Sequence, residues 1–182
     1  MGIIERSRVY RTIKLERIAK MLLKIGLSAN QMTAISLATG IAAVYILFQN
    51  HALFIILAIT HLVADGLDGV IARYSTSTLF GKYFDAITDA SINLLAILKI
   101  AYTLKDPYFY IICALFILVY TLYLLSKMNL PILQSRTITL LILTLAPLHF
   151  SIPYIAIFTT GFCVFFSAAK MIEVQAPRWF QR

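Results

Sequence analysis

Charge is scarce in this chain. Only 13% of its 182 residues are Asp, Glu, Lys or Arg, against about a quarter in an ordinary soluble domain. Hydrophobic residues make up 60%, and mean hydropathy is +0.85. A soluble globular domain is excluded on that ground, and a polytopic membrane protein is the class left. Cysteine is nearly absent: Cys113 and Cys163 both fall in apolar runs and form no CxxC pair. A disulfide framework or thiolate site is therefore not expected, and both read as small buried apolar residues. Linkers, low-complexity segments and clear internal repeats are also missing. No cleavable signal is expected, because the first apolar run starts near residue 31, after a long basic segment.

What the chain does have is apolar runs approaching the roughly 20 residues that cross a bilayer as a helix. Hydropathy predicts six spans, at 31–49, 52–73, 79–104, 107–126, 134–150 and 152–172. Turn chemistry marks the breaks: Gln49-Asn50-His51, the hydroxyl run from Ser75 to Thr78, Lys105-Asp106-Pro107, Asn129-Leu130-Pro131 and Ser151-Ile152-Pro153. The sixteen Lys and Arg residues fix an orientation. Seven precede the first span, others sit in the second and fourth connections and at the C-terminal end, and only Lys99 and Lys105 lie on the other side. The positive-inside rule then puts both termini and the even-numbered connections in the cytoplasm. The net charge of +8 thus reflects topology and contact with anionic lipid, not nucleic acid.

Ahead of the first span, Leu15, Ile18, Leu22 and Ile25 recur at helical spacing, with Lys14, Arg17, Lys20 and Lys24 on the other side. That pattern predicts an amphipathic helix in the cytoplasmic headgroup layer, as a wall beside a site open to lipid or as a topology anchor. At the far end Trp179 and Phe180 stand among arginines as an interfacial anchor. The expected fold is all-α and integral to the membrane: a basic amphipathic juxtamembrane segment (1–30), then a six-span domain (31–182).

Acidic residues number only eight, and four of them, Asp65, Asp68, Asp85 and Asp89, lie within "DGLDGVIARYSTSTLFGKYFDAITD". A carboxylate at mid-membrane costs roughly 2.5–3.5 kcal/mol even on a lenient scale, and four together repel each other. Arg73 and Lys82 cannot neutralise all four, whereas divalent metal can. Asp65, Asp68 and Ala72 share one face of the second span; Gly81, Asp85 and Asp89 share one face of the third. A tight turn between the spans makes them antiparallel neighbours, so the two pairs meet about 8–15 Å inward of it. Hard oxygen ligands favour Mg²⁺, Mn²⁺ or Ca²⁺ over zinc or copper. Four carboxylates suffice for two ions about 3.5–4 Å apart, an arrangement suited to phosphoryl transfer. Gly69, Ala72 and Gly81 leave helix surface bare for a substrate, and Arg73 is suited to holding a phosphate or closing the site.

The same stretch resembles the signature of the CDP-alcohol phosphotransferases, D-x2-D-G-x2-A-R-x7-G-x3-D-x3-D, with Asp65, Asp68, Gly69, Ala72, Arg73, Gly81, Asp85 and Asp89 at its fixed positions. The resemblance implies a Mg²⁺- or Mn²⁺-dependent enzyme with two ions held by the four aspartates. An acceptor hydroxyl attacks the β-phosphorus of a CDP-linked donor and CMP leaves. The donor is usually a CDP-lipid, so a phosphatidyl or archaetidyl group is transferred to a small alcohol in phospholipid synthesis. Asp89 would be the general base, with Gly69, Ala72, Arg73 and Gly81 lining the CDP pocket. "SANQMT" is similar to the family's P-N-x-x-T, with Ala29 in place of proline, and would bring Asn30 and Thr33 to the nucleotide; helix capping by Ser28 or Asn30 is the other reading. Members using a phosphorylated acceptor such as inositol phosphate carry basic residues near the fourth connection. Lys127 and Arg136 stand there, either to hold an acceptor phosphate such as that of inositol phosphate or glycerol phosphate, or only to obey the positive-inside rule. A homodimer in the cytoplasmic membrane, with the active site on the cytoplasmic side, is also implied.

Two other classes share parts of this pattern. A Mg²⁺-dependent membrane prenyltransferase also binds diphosphate through aspartates, but it does not require Gly69, Ala72, Arg73 and Gly81 and it releases pyrophosphate. A non-enzymatic divalent-cation carrier or channel needs polar residues continuing outward, where this chain returns to "HALFIILAIT" and "LLAILKIAY". His61, one turn before Asp65, and Asn93, one turn after Asp89, read as hydrogen-bonded interior residues.

Overall fold

The computed structural model describes residues 15–75 and 78–179. Its regular elements are all helical: α1 (15–24), then α2 (Ala29–Ile46), α3 (His51–Tyr74), α4 (Leu79–Leu104), α5 (Pro107–Leu125), α6 (Arg136–Leu143) and α7 (Ile152–Trp179), with a 3-10 turn at Ala146–Leu148. A chain this apolar has few polar side chains to satisfy its backbone, and a helix satisfies its own.

Four helices, α3, α4, α5 and α7, are long and apolar enough to cross a membrane. The expected first span corresponds to α2, whose 18 residues include Asn30, Gln31, Thr33 and Ser36 in its first half, and it is not among the four. The expected fifth span differs more. Over 134–150 only the eight residues of α6 are helical, about 12 Å at 1.5 Å per residue, preceded by chain without regular structure and followed by the 3-10 turn. Pro147 accounts for the break: it has no N–H, and its ring excludes the carbonyl four residues back, which belongs to Leu143, the last residue of α6. Hydropathy registers the composition of this run and not its proline. At α5 the boundary signal works as read: Pro107 opens the helix, and the Asp106 carboxylate accepts from the Tyr108 N–H at 3.0 Å.

The residues form two compact units, the first from the N-terminal side to 46 with 52–89, the second 47–51 with 90 onward. In the first, Ala19 of α1 joins Met32, Ala64, Leu67, Val70 and Ile71 in a buried cluster, with Leu15, Leu22 and Leu23 packed against it. The expected single apolar face of α1 is therefore divided. Leu15 and Leu22 pack inward, while Ile18 and Met21 on the helix, and Ile25 just beyond it, are exposed. Its charges lie on a third side. Lys20 donates to Glu16 at 2.5 Å and its ammonium sits 5.4 Å from the centre of the Tyr74 ring; the hydrogen bond and charge of Lys20 hold the Glu16 carboxyl below the usual range. Lys14 and the other residues before it, like Phe180, lie outside the described residues.

Antiparallel α2 and α3 are joined by polar contacts in their buried seam. His61 Nδ1 lies 2.8 Å from the Ser36 carbonyl oxygen, and Ser36 Oγ donates to the His61 carbonyl at 3.2 Å. Both side chains are fully buried. His61 is thus a buried interior histidine held through Nδ1, in line with its lone position in an apolar run. In the second unit, α5 and α6 pack on α7. Phe109 meets Tyr154 and Phe158 edge-on at 5.5 and 6.0 Å, and Thr139 and Thr160 share a buried hydrogen bond at 2.9 Å. Asn93 Nδ2 donates to Ser135 Oγ at 2.7 Å, tying α4 to the residue before α6. Cys113 and Cys163 are buried free thiols.

Candidate active site

Helical spacing places Asp65 and Asp68 on one face of α3, and the short link to α4 returns Asp85 alongside. Carboxylate oxygens of these three lie within 4.8 Å of one another. At that separation and an effective dielectric near 20, two full negative charges repel by about 3.5 kcal/mol. A divalent cation among them reverses the sign of the largest interactions, and its preference for several hard oxygens matches this donor set. Asp89 lies one turn further along α4. It is buried, 6% exposed, and stands outside the group of three.

Beside the carboxylates is a cavity of about 320 Å³ whose wall includes Asp68 and Asp85. Gly69 and Ala72 of α3 and Gly81 of α4 form part of that wall, as do Asn30 and Thr33 of α2. The two motif glycines serve different ends. A Cβ on Gly69 would meet nothing within 4 Å, so its hydrogen leaves open space for a ligand. A Cβ on Gly81 would lie 2.8 Å from Asn30 Oδ1 and 3.2 Å from Thr78 Oγ1. Gly81 therefore lets the Asn30 side chain cross between α2 and α4 at the cavity wall. Arg73 is exposed in the last turn of α3 and is not part of this wall.

The start of α2 shows which residue caps the helix. Ser28 is the cap: its hydroxyl accepts from the Gln31 N–H at 3.3 Å, and Gln31 Oε1 accepts from the Ser28 N–H at 2.8 Å, a reciprocal capping box. Asn30 is not needed there. Thr33 Oγ1 donates to Asp68 Oδ2 at 2.7 Å, a contact between positions 35 residues apart that no local pattern signals. Sequence reasoning also missed wall residues Ser28, Ser75, Thr78 and Lys82. Ser75 and Thr78 stood within the run read as a turn, and Thr78 does cap α4, its hydroxyl accepting from the Gly81 N–H at 3.0 Å. Lys82 is read from the sequence only as a topology charge and an insufficient counter-charge to the aspartates. Of the basic pair near the fourth connection, Lys127 is exposed, with backbone in the left-handed region at φ 56°, while Arg136 is buried in the first turn of α6.

Residues 27–174 match the family model described as CDP-alcohol phosphatidyltransferase. The chain belongs to that family. A comparison with curated proteins found no match. As a CDP-alcohol phosphatidyltransferase it is a transferase of phospholipid synthesis, moving a phosphatidyl group from a CDP-alcohol to an alcohol. The family uses divalent metal, and the Asp65, Asp68 and Asp85 cluster is a donor set able to bind such an ion. The apolar helices and the family together make it an integral membrane protein. The matched region contains every residue of the cavity wall and all four aspartates of the signature.

Proposed function

We propose that this protein transfers a lipid-linked phosphate from a CDP-lipid to the hydroxyl of a small alcohol and releases CMP. The observation that carries the reading is the convergence of Asp65, Asp68 and Asp85 within 4.8 Å at a cavity whose wall, apart from Asn30 and Lys82, is otherwise small or hydroxyl-bearing. These three carboxylates, with Asp89, would hold Mg²⁺ or Mn²⁺, two ions in the full site. When bound, the metal binds the donor diphosphate and offsets charge developing on the departing CMP.

The chain's own residues do the rest. Gly69 and Ala72 offer a surface without side-chain bulk for the nucleotide, and Asn30 offers an amide to it. Lys82 supplies a cation at the same wall, and Arg73 a guanidinium at the end of α3. Asp89, one turn from Asp85 and shielded from water, is the base for the acceptor hydroxyl. The acceptor oxygen forms a bond to the β-phosphorus, the bond from that phosphorus to the CMP oxygen breaks, and the hydroxyl proton passes to Asp89. An acceptor with its own phosphate would use Arg136, buried at the N-terminal turn of α6 where the helix dipole also favours an anion, with Lys127 as an exposed second cation.

In the membrane, the reading has six crossings, with α2 and the broken 134–150 segment completing the four long helices. Both termini and the active site face the cytoplasm, α1 lies in the headgroup layer, and two copies assemble as a dimer. The test is product identification. Purified protein is given CDP-lipid, Mg²⁺ and, separately, glycerol 3-phosphate, inositol phosphate, inositol, serine and glycerol, and lipid products are identified by mass. One acceptor should yield a new phospholipid with equimolar CMP, and Asp89→Asn should abolish both. Product at wild-type rate from Asp89→Asn overturns the assignment of the base. Pyrophosphate in place of CMP overturns the reaction.

A further inference from the structure

The Thr33 hydroxyl has one proton, and two acceptors lie within reach: Asp68 Oδ2 at 2.7 Å and the Ala29 carbonyl oxygen at 3.1 Å. An ionised carboxylate only accepts, and a hydrogen bond to a charged acceptor is about twice as strong as one between neutral groups. The proton therefore goes to Asp68. Thr33 is 3% and Asp68 5% exposed, so water competes weakly for either group. Thr33 belongs to the cavity wall; its one donor is committed to Asp68, and only its lone pairs remain for a ligand.

The register that creates this contact is itself fixed. One turn along α2 from Thr33, Ser36 is clasped to His61. His61 Nδ1 lies 2.8 Å from the Ser36 carbonyl oxygen and 2.9 Å from Ser36 Oγ. Ser36 Oγ also donates to the His61 carbonyl at 3.2 Å. Each side chain thus reaches the other's backbone, and sliding α2 along α3 would break these contacts in a fully buried seam. The clasp holds Thr33 opposite Asp68.

We infer that Thr33 is a positioning residue for the Asp68 carboxylate: its hydroxyl orients a metal ligand. This rests on the proposed metal-binding role of the carboxylate cluster. The Thr33 bond occupies one lone-pair direction of Asp68 and fixes the plane of its carboxylate, so the remaining directions are set before an ion arrives. Without that bond, a buried carboxylate facing Asp65 and Asp85 relaxes away from its like-charged neighbours, and its return must accompany ion binding. Hydrogen-bond partners of metal ligands commonly change metal affinity by about 10–100-fold when removed.

The experiment uses the full chain in lipid nanodiscs. Mn²⁺ affinity is measured without nucleotide, from the paramagnetic resonance signal of the free ion. Thr33→Ala should weaken Mn²⁺ binding about 10-fold or more, and Thr33→Ser should restore it. Alanine is well tolerated inside a helix, and rescue by serine separates the hydroxyl from packing. Unchanged Mn²⁺ affinity in Thr33→Ala overturns the inference, and so does a loss that Thr33→Ser does not restore. Failure of the wild-type protein to bind Mn²⁺ at all is a different result, which overturns the metal reading beneath it.

Discussion

Three glycines within 16 residues make different predictions for the same substitution. At Gly81, alanine gains up to about 1 kcal/mol of helix propensity. Its Cβ would fall 2.8 Å from Asn30 Oδ1, the end of a side chain that can turn away, at a cost of about 0.5–1.5 kcal/mol for an off-rotamer torsion. The two terms nearly cancel, so thermal stability should change little. Binding should not escape: Asn30 is displaced from the wall that meets the nucleotide, and losing one hydrogen bond of about 1 kcal/mol is roughly a five-fold loss of affinity. Gly81→Ala should therefore raise KM for the CDP-lipid by about that factor. At Gly69 the added methyl meets nothing within 4 Å and protrudes into open space, so stability should rise while donor binding falls. Gly66 is the control. Its Cβ would rest 3.9 Å from Leu15 Cδ1, an ordinary contact, and Gly66→Ala should stabilise without changing KM. The assay is CMP release over a range of CDP-lipid concentrations, with Tm measured on the same preparations. The reasoning is refuted if Gly81→Ala and Gly69→Ala leave KM unchanged, or if KM rises equally in Gly66→Ala.

Three further outcomes are expected. Asp85→Asn removes one of three clustered charges, so Tm without metal should rise, while the additional rise on adding Mg²⁺ should shrink; differential scanning fluorimetry with and without EDTA reads both. Ser36→Ala leaves buried polar groups of the clasp unsatisfied and should destabilise the protein by about 1–3 kcal/mol, measured as a fall in Tm. The contact of α1 with Tyr74 should depend on pH in a set direction. Glu16 is held below its usual pKa by the hydrogen bond and charge of Lys20, so its contribution is present above the ordinary Glu range and is lost as pH falls through the lowered value. Lys20 is raised by the same pair, so its contribution is present below the ordinary Lys range and lost as pH rises through the raised value. Amide protection of residues 15–24 should then hold between those limits and weaken outside them and in high salt.

The helices that the sequence marks most clearly are those ended by local chemistry. Pro107 behind Asp106 and Thr78 ahead of Gly81 act through neighbours one to three residues away, so their effect is readable without the fold. The meeting of Asp65, Asp68 and Asp85 was legible for the same reason, since helical spacing and one tight turn suffice to bring two faces together. Pro147 was equally visible, but an average over a window of apolar residues dilutes one proline, and the broken α6 segment was read as a full span. Contacts across long separations were out of reach. Thr33 is joined to Asp68 only by the register of α2 on α3, and that register depends on Ser36 and His61, each of which looked incidental in its own run. Asp89 illustrates another limit. Helical periodicity gives its direction, but whether its oxygens join the cluster depends on distances of a few ångströms that spacing does not resolve.

CMP release by the purified protein tests the central claim most directly, with CDP-lipid and the preferred acceptor, in Mg²⁺ and again in excess EDTA. Turnover should require Mg²⁺, release CMP in step with phospholipid, and be lost in Asp85→Asn. CMP release that persists in EDTA, or at wild-type rate in Asp85→Asn, would contradict a metal-assisted transfer at this carboxylate cluster.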